Sequence, residues 1–115
     1  MVKKKLTEPY VPSRGDICWL TFDPHAGNEQ AKRRPAIVVS DRLFNSLGLA
    51  VVCPVTSAAP RHKFHVVLPA HLGTTGCVMT EQLKSLDYLA RNAEYIERAP
   101  VGFVQYVRGI IAQVV

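Results

Sequence analysis

The residues best able to do chemistry are gathered in one polar connection, Asp23-Pro-His-Ala-Gly-Asn-Glu-Gln-Ala-Lys-Arg-Arg34, set between two apolar runs. Asn28, Glu29 and Gln30 offer donors and acceptors at its tip, while Lys32, Arg33 and Arg34 load its returning arm with positive charge. A planar guanidinium holds two phosphate oxygens through parallel hydrogen bonds, so this arm suits an anionic partner. Loops longer than a tight turn tend to carry function. Further on, Cys53-Pro-Val-Thr56-Ser57 places two hydroxyls where Pro54 should end a strand at an edge or force a bulge, leaving them at a rim. Read alone, Arg34 is a surface arginine pairing Asp23 or Glu29, and Thr56 is a strand-end threonine closing a turn.

Other clusters carry less. His62 and His65, three apart near a strand start, would point to opposite faces, and no carboxylate or cysteine completes a set with them, His25 or His71. No metal site is expected. In the stretch 80–85, the period of two puts Thr80, Gln82 and Lys84 on one face and Glu81, Leu83 and Ser85 on the other. The first face makes a polar stripe. Cys18, Cys53 and Cys77 form no Cys-x-x-Cys pair and sit in apolar runs, as buried thiols in a reducing compartment do.

These residues need a scaffold, and 115 residues with 48% hydrophobic and 20% charged content allow one compact domain. Residues 1–12, with three lysines, read as a partly flexible tail, and 13–115 as the domain. No secretory signal or membrane span is expected. Strands are expected over 16–22, 36–40, 50–55, 64–68 and 77–86, each rich in Val, Ile, Leu or aromatics and bounded by Gly, Pro, Asp or Asn. Short successive strands argue for an antiparallel sheet curled into a small barrel. Ser40 or Asp41 can cap a short helix through Phe44 to Leu47, stopped by Gly48. After Pro100, Val101, Val104, Val107, Arg108 and Ile111 recur at helical spacing, so a packed helix is expected over 100–113. Trp19 and Phe22 read as core. A formal charge of +5 makes a polyanionic partner plausible without identifying it.

Taken in order, Arg14-Gly-Asp-Ile-Cys-Trp19, Phe22-Asp-Pro24, Gly27-Asn-Glu-Gln30, Arg34-Pro-Ala36, Cys53-Pro-Val-Thr56-Ser57, Thr75-Gly76, Glu81-Gln82-Leu-Lys84-Ser85 and Ala90-Arg91 resemble the MazF/PemK family of toxin ribonucleases over about residues 13–112. The resemblance implies a mostly β fold, an SH3-like barrel of the CcdB/Kid/MazF type with a C-terminal α-helix. It also implies a cytoplasmic, sequence-specific endoribonuclease toxin of a type II toxin-antitoxin pair. Such a toxin cuts single-stranded RNA by transesterification, leaving 2′,3′-cyclic phosphate and 5′-hydroxyl ends, without metal or cofactor. A homodimer, an acidic antitoxin and operator DNA contact only through the antitoxin complex are implied as well.

By the same resemblance Arg34 and Thr56 take the family's catalytic arginine and threonine positions, and Glu29 that of an acidic loop residue tied to activity. RNA supplies its own nucleophile, the 2′-hydroxyl, so the protein must position, transfer protons and stabilise a phosphorane. Arginine stays protonated, so Arg34 suits charge stabilisation. Glu29 either moves a proton or braces Arg34. Asn28, Gln30, Lys32, Arg33, Ser57, Glu81, Gln82 and Lys84 are expected to contact RNA, with Phe22 and Tyr88 as possible base-stacking rings. PemK-like members carry an arginine, an aspartate and a histidine where this chain has Met79, Glu81 and Asn28, so that arrangement is not expected here. Two rivals remain: a gyrase poison of the same fold, disfavoured by the terminal Ala112-Gln-Val-Val115, and a non-catalytic RNA-binding barrel.

Overall fold

The structure is a computed structural model and describes residues 9–22 and 33–115. The expected sites Asn28, Glu29, Gln30 and Lys32 lie outside the described residues, as does His25.

Among the described residues, seven strands and two helices follow in order: β1 (Asp16–Thr21), β2 (Arg33–Val38), α1 (Arg42–Asn45), β3 (Leu49–Thr56), β4 (His65–Val67), β5 (Cys77–Met79), a 3-10 turn (Thr80–Gln82), β6 (Lys84–Asp87), β7 (Glu94–Arg98) and α2 (Val101–Val114). All pairings are antiparallel, along the path β4-β5-β3-β2-β1-β7, with β6 joining β3. The mostly β, barrel-like architecture with a C-terminal helix is the one the sequence predicts.

Strand alternation produces two apolar clusters. Ile17, Ile37, Cys53 and Val55 face α2, whose Val104 and Val107 close over them together with Val66 and Val78. Cys18, Leu20, Ala36, Val38, Ala50 and Val52 face the other way, where Leu86 and Tyr88 cover them. All three cysteines are free and buried. Burial pushes the Cys18 and Cys53 thiols up to about 12, so neither is a nucleophile at neutral pH.

Several boundaries differ from expectation for physical reasons. The run 77–86 is not one strand, because Thr80 turns into the protein and its hydroxyl donates to the Phe64 carbonyl at 2.6 Å. The anticipated face of Thr80, Gln82 and Lys84 therefore does not exist. Strand β7 escaped prediction because it is an edge strand reading Glu-Tyr-Ile-Glu-Arg, with charges where a sheet meets water. In α1 the Asp41 carboxylate accepts from the Leu43 N–H at 2.9 Å, and Gly48 follows with φ +109°. The cap is the expected Asp41, and the helix ends at Asn45, two residues short of Leu47. In α2, Val101 is exposed while Val104 and Val107 form the buried stripe. Tyr10 and Pro12, counted with the tail, are packed: the Tyr10 hydroxyl donates to Asp16 at 2.7 Å, and Pro12 is fully buried.

Pro54 marks neither an edge nor a bulge. The Val39 N–H donates to the Val51 carbonyl, so alternation turns the backbone groups of Val52 and Pro54 away from β2. On that side β6 stops at Val52 opposite Lys84, and β5 starts at Val55 opposite Val78. The missing N–H of Pro54 falls in the gap between two partners, where no ladder bond is lost. Among the described residues no helix is long and apolar enough to cross a membrane.

Candidate active site

The register of β2 and β3 runs Val38↔Val52, Ile37↔Cys53, Ala36↔Pro54. The pairing ends at Ala36↔Pro54, and Arg34 and Thr56 stand two residues beyond it on their strands, Thr56 being paired with Cys77 of β5. Arg34, Thr56 and Ser57 line a cleft of about 570 Å³ whose other walls are Trp19, Arg33, Pro35, Val55, Ile96 and residues 73–75. Two residues separated by 22 positions in the chain are thus brought to one cavity by the fold.

Thr56 is held from two sides. The Ala58 N–H donates to its hydroxyl oxygen at 3.2 Å, which uses a lone pair and leaves the O–H as a donor. Behind it Gly76, at φ +119°, packs so closely that a Cβ there would lie 2.0 Å from the Thr56 carbonyl oxygen. The opposite wall is fixed by Glu97, whose carboxylate accepts from the Gly73 N–H (3.0 Å), the Thr74 N–H (2.6 Å) and the Thr74 hydroxyl (2.6 Å). The Thr74 hydroxyl first, and the two backbone donors with it, hold the Glu97 carboxyl below its ordinary range despite partial burial. Residues 73–75 are therefore tied to β7.

The adjacent arginines are used differently. Arg33 donates to the Thr21 hydroxyl (3.2 Å), the Asn92 carbonyl (2.8 Å) and Glu94 Oε1 (3.1 Å), bracing β2 against the turn before β7. Its neighbour Arg34, across from Leu20 in β1, reaches the cleft from the next position. Trp19, expected in the core, is 39% exposed because its partner Pro35 lies at the rim, and its indole lines the cleft instead. Tyr88 cannot stack on a base: it is buried and its hydroxyl donates to the Asn45 carbonyl at 2.6 Å. The Lys84 ammonium lies 5.3 Å from the Phe22 ring centroid, away from the cleft.

Glu81 and Gln82 line a second cavity of about 370 Å³, with Arg61, His62, His65 and Met79, and Thr56 borders both. His62 and His65 do not take opposite faces. Residues 62–65 form a turn closed by the His65 N–H on the His62 carbonyl at 3.1 Å, so the strand period does not apply. Both imidazoles approach the one Glu81 carboxylate, which is the acid thought to be missing. Burial pushes the Glu81 carboxyl up, but the His65 hydrogen bond and the histidines beside it outweigh this and hold it low.

The family model described as "PemK-like, MazF-like toxin of type II toxin-antitoxin system" matches residues 13–115. The chain belongs to that family. The endoribonuclease toxin MazF of Escherichia coli K12 is 39% identical over 85 residues, 73% of this chain and 76% of the relative. A crystal structure of MazF from Deinococcus radiodurans is 45% identical with a TM-score of 0.83, covering 92% of this chain and 97% of the other. A MazE-MazF complex from the same organism gives a TM-score of 0.80 at 40% identity, over 92% and 96% of the two chains. For this PemK/MazF-type toxin, the ordered sequence pieces pointed to the family. They did not reveal Ile96 and Thr74 as cleft walls or Glu97 as the brace behind Thr74, because those places depend on an unforeseen edge strand.

Proposed function

We propose that this toxin is a sequence-specific endoribonuclease that cleaves single-stranded RNA by metal-independent transesterification. The observation that carries the reading is the meeting of Arg34 and Thr56 in one cleft. The relatives named endoribonuclease MazF, PemK and ChpB support it.

The substrate 2′-hydroxyl attacks the adjacent phosphorus, and the 5′-oxygen of the next nucleotide leaves. Negative charge builds on the non-bridging oxygens in the transition state. Arg34 binds those oxygens bidentately, and the Thr56 O–H donates a further hydrogen bond to the same phosphorane. Glu29 handles a proton or braces Arg34. Trp19, apolar and half-open on the cleft wall, gives a base a stacking surface, while Arg33, Ser57, Gln82, Lys84, Asn28, Gln30 and Lys32 complete the RNA contacts. Glu81 contributes from the second cavity. Reaction in the cytoplasm and a homodimeric state belong to the same reading.

A solved complex joins MazE to MazF in a relative, and this chain carries a formal +5. An acidic antitoxin segment, folding on contact, would wrap the basic cleft and exclude RNA. Operator DNA is reached only through that antitoxin.

The test is end-mapping of a long mixed-sequence RNA incubated with the toxin in EDTA. Cuts should recur at one short motif and leave 2′,3′-cyclic phosphate and 5′-hydroxyl ends. Arg34→Ala should slow cleavage by roughly 10²–10³-fold with an unchanged melting curve. Undiminished cleavage by that variant, or wild-type cleavage that stops in EDTA and returns with added metal, overturns the mechanism.

A further inference from the structure

Across Thr56 from the proposed nuclease cleft, three ligand-type side chains converge, two of them histidines that the nuclease reading does not use. His65 Nε2 lies 3.0 Å and His62 Nε2 3.7 Å from the same atom, Glu81 Oε2. The imidazole centroids are 4.1 Å apart, and the candidate ligand atoms of the three residues all lie within 4.8 Å of one another. We propose that His62, His65 and Glu81 form a binding site for a borderline divalent transition-metal ion, with Zn²⁺ the best match.

The geometry is close to that of a filled site. Zinc binds imidazole nitrogen and carboxylate oxygen at about 2.0–2.2 Å, so a tetrahedral ion separates its ligand atoms by about 3.4 Å. The two distances to Glu81 fall on either side of that value. Two histidines and one glutamate make a three-ligand set with a fourth position open to water, and the cavity of about 370 Å³ leaves room for it. Two nitrogens and one oxygen favour zinc over magnesium or calcium, which prefer all-oxygen shells.

The free site is held by protons that the metal would displace. His62 Nδ1 accepts the Phe64 N–H at 3.2 Å and His65 Nδ1 accepts the Arg61 N–H at 3.3 Å, so each neutral ring carries its proton on Nε2, facing Glu81. Coordination through Nε2 moves each ring proton to Nδ1 and opens those two long, exposed contacts, whose N–H groups water can then satisfy. His65 is the anchored ligand, with its side chain 5% exposed. His62, at 42%, is the one that swings in. A bound ion would tie the turn 61–65 to Glu81 and roof the cavity beside Thr56. This proposal does not rest on the nuclease reading, whose chemistry needs no metal.

The protein, stripped with EDTA and dialysed, is titrated with Zn²⁺ by calorimetry and with Co²⁺ by visible absorption. One ion per chain should bind with Kd below about 10 µM, and Co²⁺ should show the intense d–d bands of a four-coordinate site. His62→Ala, at an exposed turn, and Glu81→Gln should each weaken binding at least tenfold, while His71→Ala binds as wild type. Circular dichroism shows whether each variant is folded. Absence of saturable binding, or equal binding by wild type and a folded His62→Ala protein, overturns the site.

Discussion

Thr56 stands between two cavities built in opposite ways. On the Arg34 side several walls are backed by backbone or by hydrogen-bonded charge: Gly76 against the Thr56 carbonyl, Glu97 on Gly73 and Thr74, Arg33 on Thr21, Asn92 and Glu94. On the Glu81 side the walls are a turn and a 3-10 segment whose contacts run between side chains, His62 and His65 on Glu81. Charge stabilisation rewards donors that do not move as the reaction proceeds. Ligand capture tolerates a wall that swings. The contrast places the phosphate on the rigid side and an adaptable ligand on the other.

The harshest way to break this contrast is Gly76→Ala. The added methyl would meet the Thr56 carbonyl oxygen at 2.0 Å, at a backbone φ of +119° that L-residues avoid. The left-handed conformation alone costs about 1–2 kcal/mol, and relieving the overlap must push Thr56 or residues 75–77 aside. Denaturant unfolding should show a loss of about 2 kcal/mol or more, and RNA cleavage should fall by roughly 10²-fold or more. Wild-type stability and rate in this variant would mean that the wall behind Thr56 is soft.

Thr56→Val separates chemistry from wall. Valine keeps the shape and removes the hydroxyl, so cleavage should drop by roughly 10²-fold. Stability should fall by about 1 kcal/mol or less, the worth of the Ala58 N–H bond to the hydroxyl oxygen. Thr56→Ser should recover most of the rate. A valine variant that cuts at the wild-type rate would take Thr56 out of the phosphorane contact.

What was legible in the sequence follows from the range of the forces involved. Near-continuous apolar runs mark β1 and β3 because each buries both faces along most of its length. Arg34 and Thr56 were visible as residue types in a familiar order, but their meeting in one cleft depends on a fold that no local pattern encodes. The histidines were misjudged because a strand period was applied to a turn, and Glu81 could not be seen as their partner across 16 residues. Trp19 reads as core by composition, yet Pro35 opposite it leaves the indole on an open rim. Long-range pairing at edges, which carries no hydrophobic signature, is the part that sequence patterns do not transmit.

Glu97 gives the mildest test of the rigid side, and its sign can be worked out. The Thr74 hydroxyl and the Gly73 and Thr74 N–H groups lower its carboxyl pKa in the folded state from the ordinary 4.5. A lowered folded pKa means that the ionised form is preferred by the native protein. Its contribution is therefore complete well above pH 4.5 and is lost as pH falls from there through the folded value. Glu97→Gln offers one carbonyl oxygen to three donors and carries no charge, so it should melt a few degrees lower near pH 7. Its melting temperature should fall less steeply than wild type below pH 4.5, and the two curves should converge in acid. Cleavage should slow only a few-fold, because residues 73–75 form a wall and do not touch the phosphate in the proposed mechanism. Parallel pH–stability curves for the two proteins would show that Glu97 does not hold this wall as a carboxylate, and that the rigidity of the Arg34 side comes from Gly76 and the strand pairing alone.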